Sequence, residues 1–464
     1  MSRAWWRTAW AGMAAGMLAG ACQMDDGPLP SLDQLRQPTG LAVDAIRPAL
    51  FVTNGNWDRQ QVDSTLMAID LDALYTELAR PGEAGDRSRP CRRVAPDDPT
   101  IECEPSAFID DWATVRLGTG AGNIAIDQPT GTEGLLRLMV PTRSPNSVTW
   151  VDVQSGPDGV VLDCDQGEDS RCGSSHEIRL STNGGERLPG EPARLTIDDQ
   201  GARFGYLPHL LGGSLSLLAL DGARGPELAD VEGEFFREDV FEDDDLRGGF
   251  AVASRPCDPE APPSPSRDCE RPFMYASHRY FPGVRHFTVA PGLDLLLPGR
   301  EVPMPVINPQ VVLGRPFLGD IAFEDPTVGD RLLVVQTTPP GLVRLDTSLD
   351  EDNLPRDEAM SVVTLCDNPN VLTVYRPPEA EALALITCAG EGRLAIVGLG
   401  SFRLLASVPV GVGAYEVVVD HERQQAYVSN PGEDTISIVD VGPRSPLRFI
   451  EWARVGTRAG SRVP

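Results

Sequence analysis

The chain is 464 residues long and carries 68 acidic against 40 basic side chains, a formal net charge of −28. So negative a surface is repelled by nucleic-acid phosphates and by anionic lipid heads, and neither is expected as a docking partner. Every basic residue is arginine, and the absence of lysine excludes Schiff-base chemistry and a lysine general base.

The first element in chain order is an export signal. Arg3 and Arg7 make a positive start, and Thr8 to Leu18 is uncharged and rich in Ala and Met. That stretch is too short to span a bilayer as a folded anchor. Ala19-x-Ala21 suits an ordinary signal peptidase. Leu18-Ala19-Gly20-Ala21-Cys22 resembles a bacterial lipoprotein box, whose Cys receives lipid. Both readings cut before Cys22. Cysteine parity favours the second, because removing Cys22 from the nine cysteines leaves an even set for an oxidising compartment. Gln23, standing where Asp would imply retention on the inner membrane, implies the outer membrane. Residues 1–21 are therefore read as signal peptide. Residues 22–37, rich in Pro and polar side chains, are a lipid-anchored linker. Losing Arg3 and Arg7 makes the mature chain more negative still.

From residue 38 onward the chain repeats itself. Leu50-Phe51-Val52-Thr53-Asn54 is followed by Ser64-Thr65-Leu66-Met67-Ala68-Ile69-Asp70, and far downstream Tyr427-Val428-Ser429-Asn430 is followed by Asp434-Thr435-Ile436-Ser437-Ile438-Val439-Asp440. Weaker copies begin at Leu138, Gly205, Met274, Leu332 and Leu383, which makes seven. Each follows a short apolar run: Pro38 to Asp44, Gly122 to Asp127, Pro192 to Asp198, Gly249 to Ala253, Gly319 to Phe323, Asn370 to Val374 and Gly413 to Asp420. A fourth strand lies between copies, most clearly at Thr114 to Gly118 and Leu405 to Gly411. All are short, β-branched and bounded by Gly, Pro or Asn, as strands are. Four strands repeated seven times predicts an all-β protein, a β-propeller of seven four-stranded blades in a single domain over residues 38–464. One blade alone cannot bury both of its faces, whereas a closed ring gives each blade two neighbours. The phase of the repeat predicts that the chain starts on an innermost strand and ends on an outermost one, so no blade is shared between the termini. Leu71 to Arg80 is the best short helix.

The eight remaining cysteines fall as local couples: Cys91 with Cys103, Cys164 with Cys172, Cys257 with Cys269 and Cys366 with Cys388. A ring of blades keeps sequence neighbours close, and each bridge over a short loop contributes roughly 2 to 3 kcal/mol in the chain-entropy picture. No CxxC pair occurs, which disfavours a thiolate zinc site.

Phe51-Val52-Thr53-Asn54 and Tyr427-Val428-Ser429-Asn430, with the aspartate-ended strands after them, resemble the YVTN-type β-propeller repeat of bacterial surface and periplasmic proteins. The resemblance implies a binding or surface protein. The wider superfamily also holds lactonase-like hydrolases with a divalent metal in the channel, which would need carboxylates and Asn converging there, such as Asp58, Asn123 or Asn370.

Candidate chemistry is sparse. The turns after the second strands gather at one end of a propeller's central channel. They hold Trp57, Asp58, Arg143, His209 and His278-Arg279-Tyr280, a set suited to an anionic or aromatic ligand, with unpartnered surface turns as the plainer reading. His286 lies inside a strand and reads as packed. Asp163-Cys164-Asp165-Gln166-Gly167-Glu168-Asp169 has the alternating carboxylates of a calcium loop, but Ser174 stands where the bidentate Glu belongs; a disulfide-clamped acidic hairpin is the alternative. Glu238 to Asp245 is an acidic run of the solvated kind. No nucleophile elbow, phosphate-cradling loop or HExxH is present. The residues predict a lipid-anchored envelope propeller that binds a protein, glycan or small ligand without catalysis, with the metal-dependent hydrolase as the alternative.

Overall fold

The structure, a computed structural model, describes residues 27–457 apart from 45, 130–131, 133, 157–158, 182–183, 199–202, 223–224, 237–246, 258–268, 270, 291 and 305–316. The leader, Cys22 and the acidic run Glu238 to Asp245 lie outside the described residues.

Seven sheets are arranged as a seven-bladed β-propeller, and the four strands of each blade are antiparallel and run inner to outer in chain order. Blade 1 is Pro38–Asp44, Ala49–Asn54, Ser64–Asp70 and Thr114–Leu117, all from the start of the domain. Blade 7 is Val417–Asp420, Gln425–Asn430, Thr435–Asp440 and Glu451–Val455, all from its end. No blade is shared between the termini.

The repeat motif has a physical content. The penultimate residue of the second strand is a hydroxyl that latches one blade to the next. Thr53 Oγ1 accepts from Gly40 N at 2.8 Å and donates to Gly122 O of blade 2 at 2.7 Å. Ser277 does the same between Ala251 and Gly319 of blade 5, and Thr387 between Val371 and Tyr415 of blade 7. The Asn that closes the motif is a second brace. Asn54 Nδ2 donates to Thr65 Oγ1 at 2.8 Å, and Asn430 Nδ2 to Thr435 Oγ1 at 3.1 Å. Aspartates ending the inner strands turn the chain into the second strand, as where Asp420 Oδ1 accepts from the backbone N–H of Glu422 and Arg423. Gly40 is required by contact: a Cβ there would lie 2.5 Å from Gly122 O and 2.6 Å from Thr53 Oγ1.

The expected helix forms as α1 (Leu71–Leu78). Asp70 caps it by accepting from Ala73 N, and Leu71, Leu74 and Leu78 are buried. They pack on the seam between blades 1 and 7 with Leu50, Met67, Tyr427, Ile436 and Ile438. The four cysteine couples are disulfides, as their spacing predicts. Four such bonds suit an extracellular or periplasmic compartment. No helix among the described residues is long and apolar enough to cross a membrane.

Two inserts have a use that spacing alone does not show. The hairpin Cys91–Ala95 with Asp98–Cys103 leaves blade 1 and extends the sheet of blade 7, where Ile101, Glu102 and Cys103 pair in parallel with Ala453, Arg454 and Val455. The Cys164–Cys172 loop of blade 2 pairs with the outer strand of blade 1 through Arg116. Each covers an edge that would otherwise expose an unpaired row of backbone groups. The calcium reading of that second loop meets a competing use of its carboxylates. Asp163 accepts from Asp165 N and Gln154, Asp165 from Ser175 and Asp169 from Arg171 N. No group of three or more His, Cys, Asp or Glu among the described residues could hold a metal ion.

Candidate ligand site at the channel mouth

The inner segment of each blade borders the central channel. In blades 3, 5 and 7 the charged residues near its start are Arg194, Asp320 and Glu416. Contacts between distant blades show that these residues meet on the axis. Arg194 of blade 3 forks onto Glu416 of blade 7, with NH1 2.6 Å from Oε2 and NH2 3.2 Å from Oε1, and its Nε stands 3.6 Å from Asp320 Oδ2 of blade 5. Such blades touch only across the central channel.

Burial works against the charge on Arg194, but Glu416 and Asp320 outweigh it and hold the guanidinium above its ordinary value. Burial pushes the Asp320 and Glu416 carboxyls up, and Arg194 offsets only part of that. Asp320 is also fixed by the backbone N–H of Ile321 and Leu372. Asn123 turns aside: its amide bonds Leu195 N and Leu195 O at 3.0 and 2.9 Å. The inner strands of blades 2 and 3 are short, Ala125–Asp127 and Thr196–Asp198.

Above this triad sits a second layer from the turns after the second strands. Trp57 is 41 % exposed and meets Tyr415 edge-on, ring centres 5.3 Å apart. Arg143 stacks over Trp57 at 5.0 Å and reaches Glu191 Oε2 at 3.4 Å. Arg279 lies over Phe250 at 4.8 Å and donates to Leu318 O and Asn370 Oδ1 at 2.8 and 3.0 Å. It has no carboxylate partner among the described residues, and burial lowers its pKa. Tyr280 packs against Phe317. The Tyr415 hydroxyl, its pKa raised by burial, feels Arg194, Arg143 and Arg279 together.

Three of the sequence candidates sit elsewhere. Asp58 pairs with Arg36 at 3.0 Å, outside the channel triad. His209 is fully buried, bonded through Nδ1 to Gly190 O and through Nε2 to Ser216 Oγ, and burial depresses its pKa to about 4, so it stays neutral. His278 points into its blade, 3.0 Å from Glu301 and against Phe236 and Phe281. Successive strand side chains alternate, so with Arg279 aimed at the channel, His278 faces the opposite way. The repeat phase placed both histidines at the right height but could not choose their side. Arg194, Asp320, Tyr415, Glu416 and Glu191 were absent from the sequence candidates. For Arg194, Asp320 and Glu416 the signal is a charged side chain at the head of an otherwise apolar inner run.

The metal of the hydrolase alternative does not fit this donor set. Asp58 is committed to Arg36, Asn123 to Leu195 and Asn370 to Arg279, and a guanidinium already lies between the two buried carboxylates. No protein-family model matches the chain, and no curated protein does. Among solved structures it is similar to a Kuenenia stuttgartiensis hydrazine synthase chain, at 13 % identity over 89 % of this chain and 97 % of that one, TM-score 0.51. It is similar also to a chain in the outer coat vertex of COPII on membranes, at 8 % identity over 88 % and 84 %, TM-score 0.50. Likenesses at such identity show the fold alone.

Proposed function

We propose that this chain is a lipid-anchored envelope propeller of the YVTN-repeat kind. It faces the periplasm or cell surface from the outer membrane and binds an anionic, ring-bearing ligand at its channel mouth without catalysing a reaction on it. One observation carries the reading: Arg279 is a largely buried cation with no carboxylate against it among the described residues, and it acts on the same Tyr415 that the partly exposed Trp57 ring packs against. A buried charge without a counter-ion is costly, and a ligand carboxylate or phosphate would supply one. Arg143 and Tyr415 frame the place for its ring.

The test is binding of 4-hydroxybenzoate against benzyl alcohol, followed by tryptophan fluorescence and calorimetry. The benzoate is expected to bind and the alcohol not, and Arg279→Gln to weaken the benzoate by about tenfold to a hundredfold, the worth of one charge-assisted hydrogen-bonded contact. Equal binding of both compounds, or no effect of the substitution, would remove the site. Anchoring is checked separately: labelled fatty acid should enter the wild-type chain and not Cys22→Ser, which should leave the membrane fraction.

A further inference from the structure

We propose that a groove beside the Cys91–Cys103 hairpin binds an anion carrying two or more phosphate groups, at a site separate from the channel mouth. The groove, about 1120 Å³, opens where the hairpin meets blade 7 and is lined by Arg87, Arg89, Arg92 and Arg93. In a chain of net charge −28, residues 87–93 contain four arginines and no carboxylate. Arg89 pairs with Glu77 at 2.9 Å, while Arg87, Arg92 and Arg93 form no ion pair with a described residue. Glu102 and Glu104 also line the groove, but Glu102 is buried and lies 3.8 Å from Arg454. Neighbouring Asp86 is turned onto Ser88, whose N–H and hydroxyl it accepts at 3.0 and 2.6 Å.

Like charges crowded this closely repel one another, so free side chains on a floppy loop would spread. Here the backbone is held. The disulfide joins the two strands, Arg93 N donates to Gly82 O at 3.1 Å, Gly82 N donates to Cys91 O at 2.8 Å, and the second strand is sewn to blade 7. Guanidinium forks carried on a held backbone beside a wide space match the several oxygens of a polyphosphate better than a single carboxylate. The lining has no aromatic side chain, so charge and not stacking selects the ligand. Two sources share this chemistry, a soluble oligophosphate and a bisphosphorylated lipid head.

Tripolyphosphate is the soluble probe, and phosphatidylcholine vesicles with and without cardiolipin are the lipid probe. The full chain carries Cys22→Ser in the vesicle arm, so that its own lipid does not hold it there. Tripolyphosphate is expected to bind by calorimetry, and Arg87→Gln/Arg92→Gln/Arg93→Gln to weaken it roughly a hundredfold. Arg279→Gln, which tests the channel mouth, should leave this binding unchanged. Retention on cardiolipin vesicles that the triple substitution abolishes assigns a lipid source; tripolyphosphate binding without retention assigns a soluble one. The proposal is overturned if neither probe binds, or if the triple variant binds both as the wild type does.

Discussion

Replacing Arg194 with Gln should destabilise the folded ring by about 3 to 5 kcal/mol at neutral pH, the usual cost of removing one partner from a buried ion pair. The substitution leaves Glu416 and Asp320 buried without their shared cation. Both carboxyls already have folded pKa values raised by burial, and the loss of Arg194 raises them further. A carboxyl raised in the folded state contributes stability below its unfolded pKa, and that stability is lost as pH rises through the folded value. The deficit of the variant should therefore be small in the ordinary carboxylate range, about pH 4, and full at about pH 7. Urea midpoints measured at both pH values check this. A deficit that is the same at the two, or below about 1 kcal/mol, would mean that the triad does not brace the axis. Adding Glu416→Gln should restore part of the loss, since a neutral amide pair removes one buried charge while keeping a hydrogen bond.

The ring was legible in the sequence because its period is written in residues that cannot be exchanged freely. Thr53 and Asn54, and Ser429 and Asn430, each hold a bond that closes a blade or joins it to the next. Apolar inner strands and Asp-ended turns fill in the weaker copies. The site was half legible. Trp57, Arg143 and Arg279 follow from the phase of the turns, because height along the axis is a property of register. Which way a turn residue points is not. His278 and Arg279 are adjacent and face opposite ways, and the contacts of the His278 ring with Glu301, Phe236 and Phe281 decide between them. The ion triad was hidden for another reason: its members lie in blades 3, 5 and 7, and no local pattern links residues so far apart in sequence. The position that donates to the latch hydroxyl repeats, but its content does not: it is Gly40 in blade 1 and Glu416 in blade 7.

Ring closure is the other point where a local pattern has a distant consequence. Seven blades from one uninterrupted chain leave the seam between blades 1 and 7 without a covalent link of its own. The Cys91–Cys103 hairpin is the answer in this molecule, a piece of blade 1 sewn to the outer strand of blade 7 over a buried Arg454–Glu451 pair. Tyr75 of α1 adds a hydroxyl contact of 3.1 Å to Tyr427, and Gln37 N donates to Asp434 at 2.7 Å. Cys91→Ser/Cys103→Ser should cost about 3 kcal/mol, the chain-entropy value for a loop of this length. The loss should be local in its first effect. Amide exchange is expected to speed up at Glu451–Val455 and α1 while blades 3 to 5 keep their protection, because opening starts where the seam is least held. The same double change at Cys164 and Cys172 loosens the edge of blade 1 but not the seam, so exchange in blade 7 should stay as in the wild type. Uniform loss of protection around the ring in the Cys91/Cys103 variant, or an unchanged outer strand of blade 7, would show that apolar packing between the two end blades closes the propeller without the hairpin.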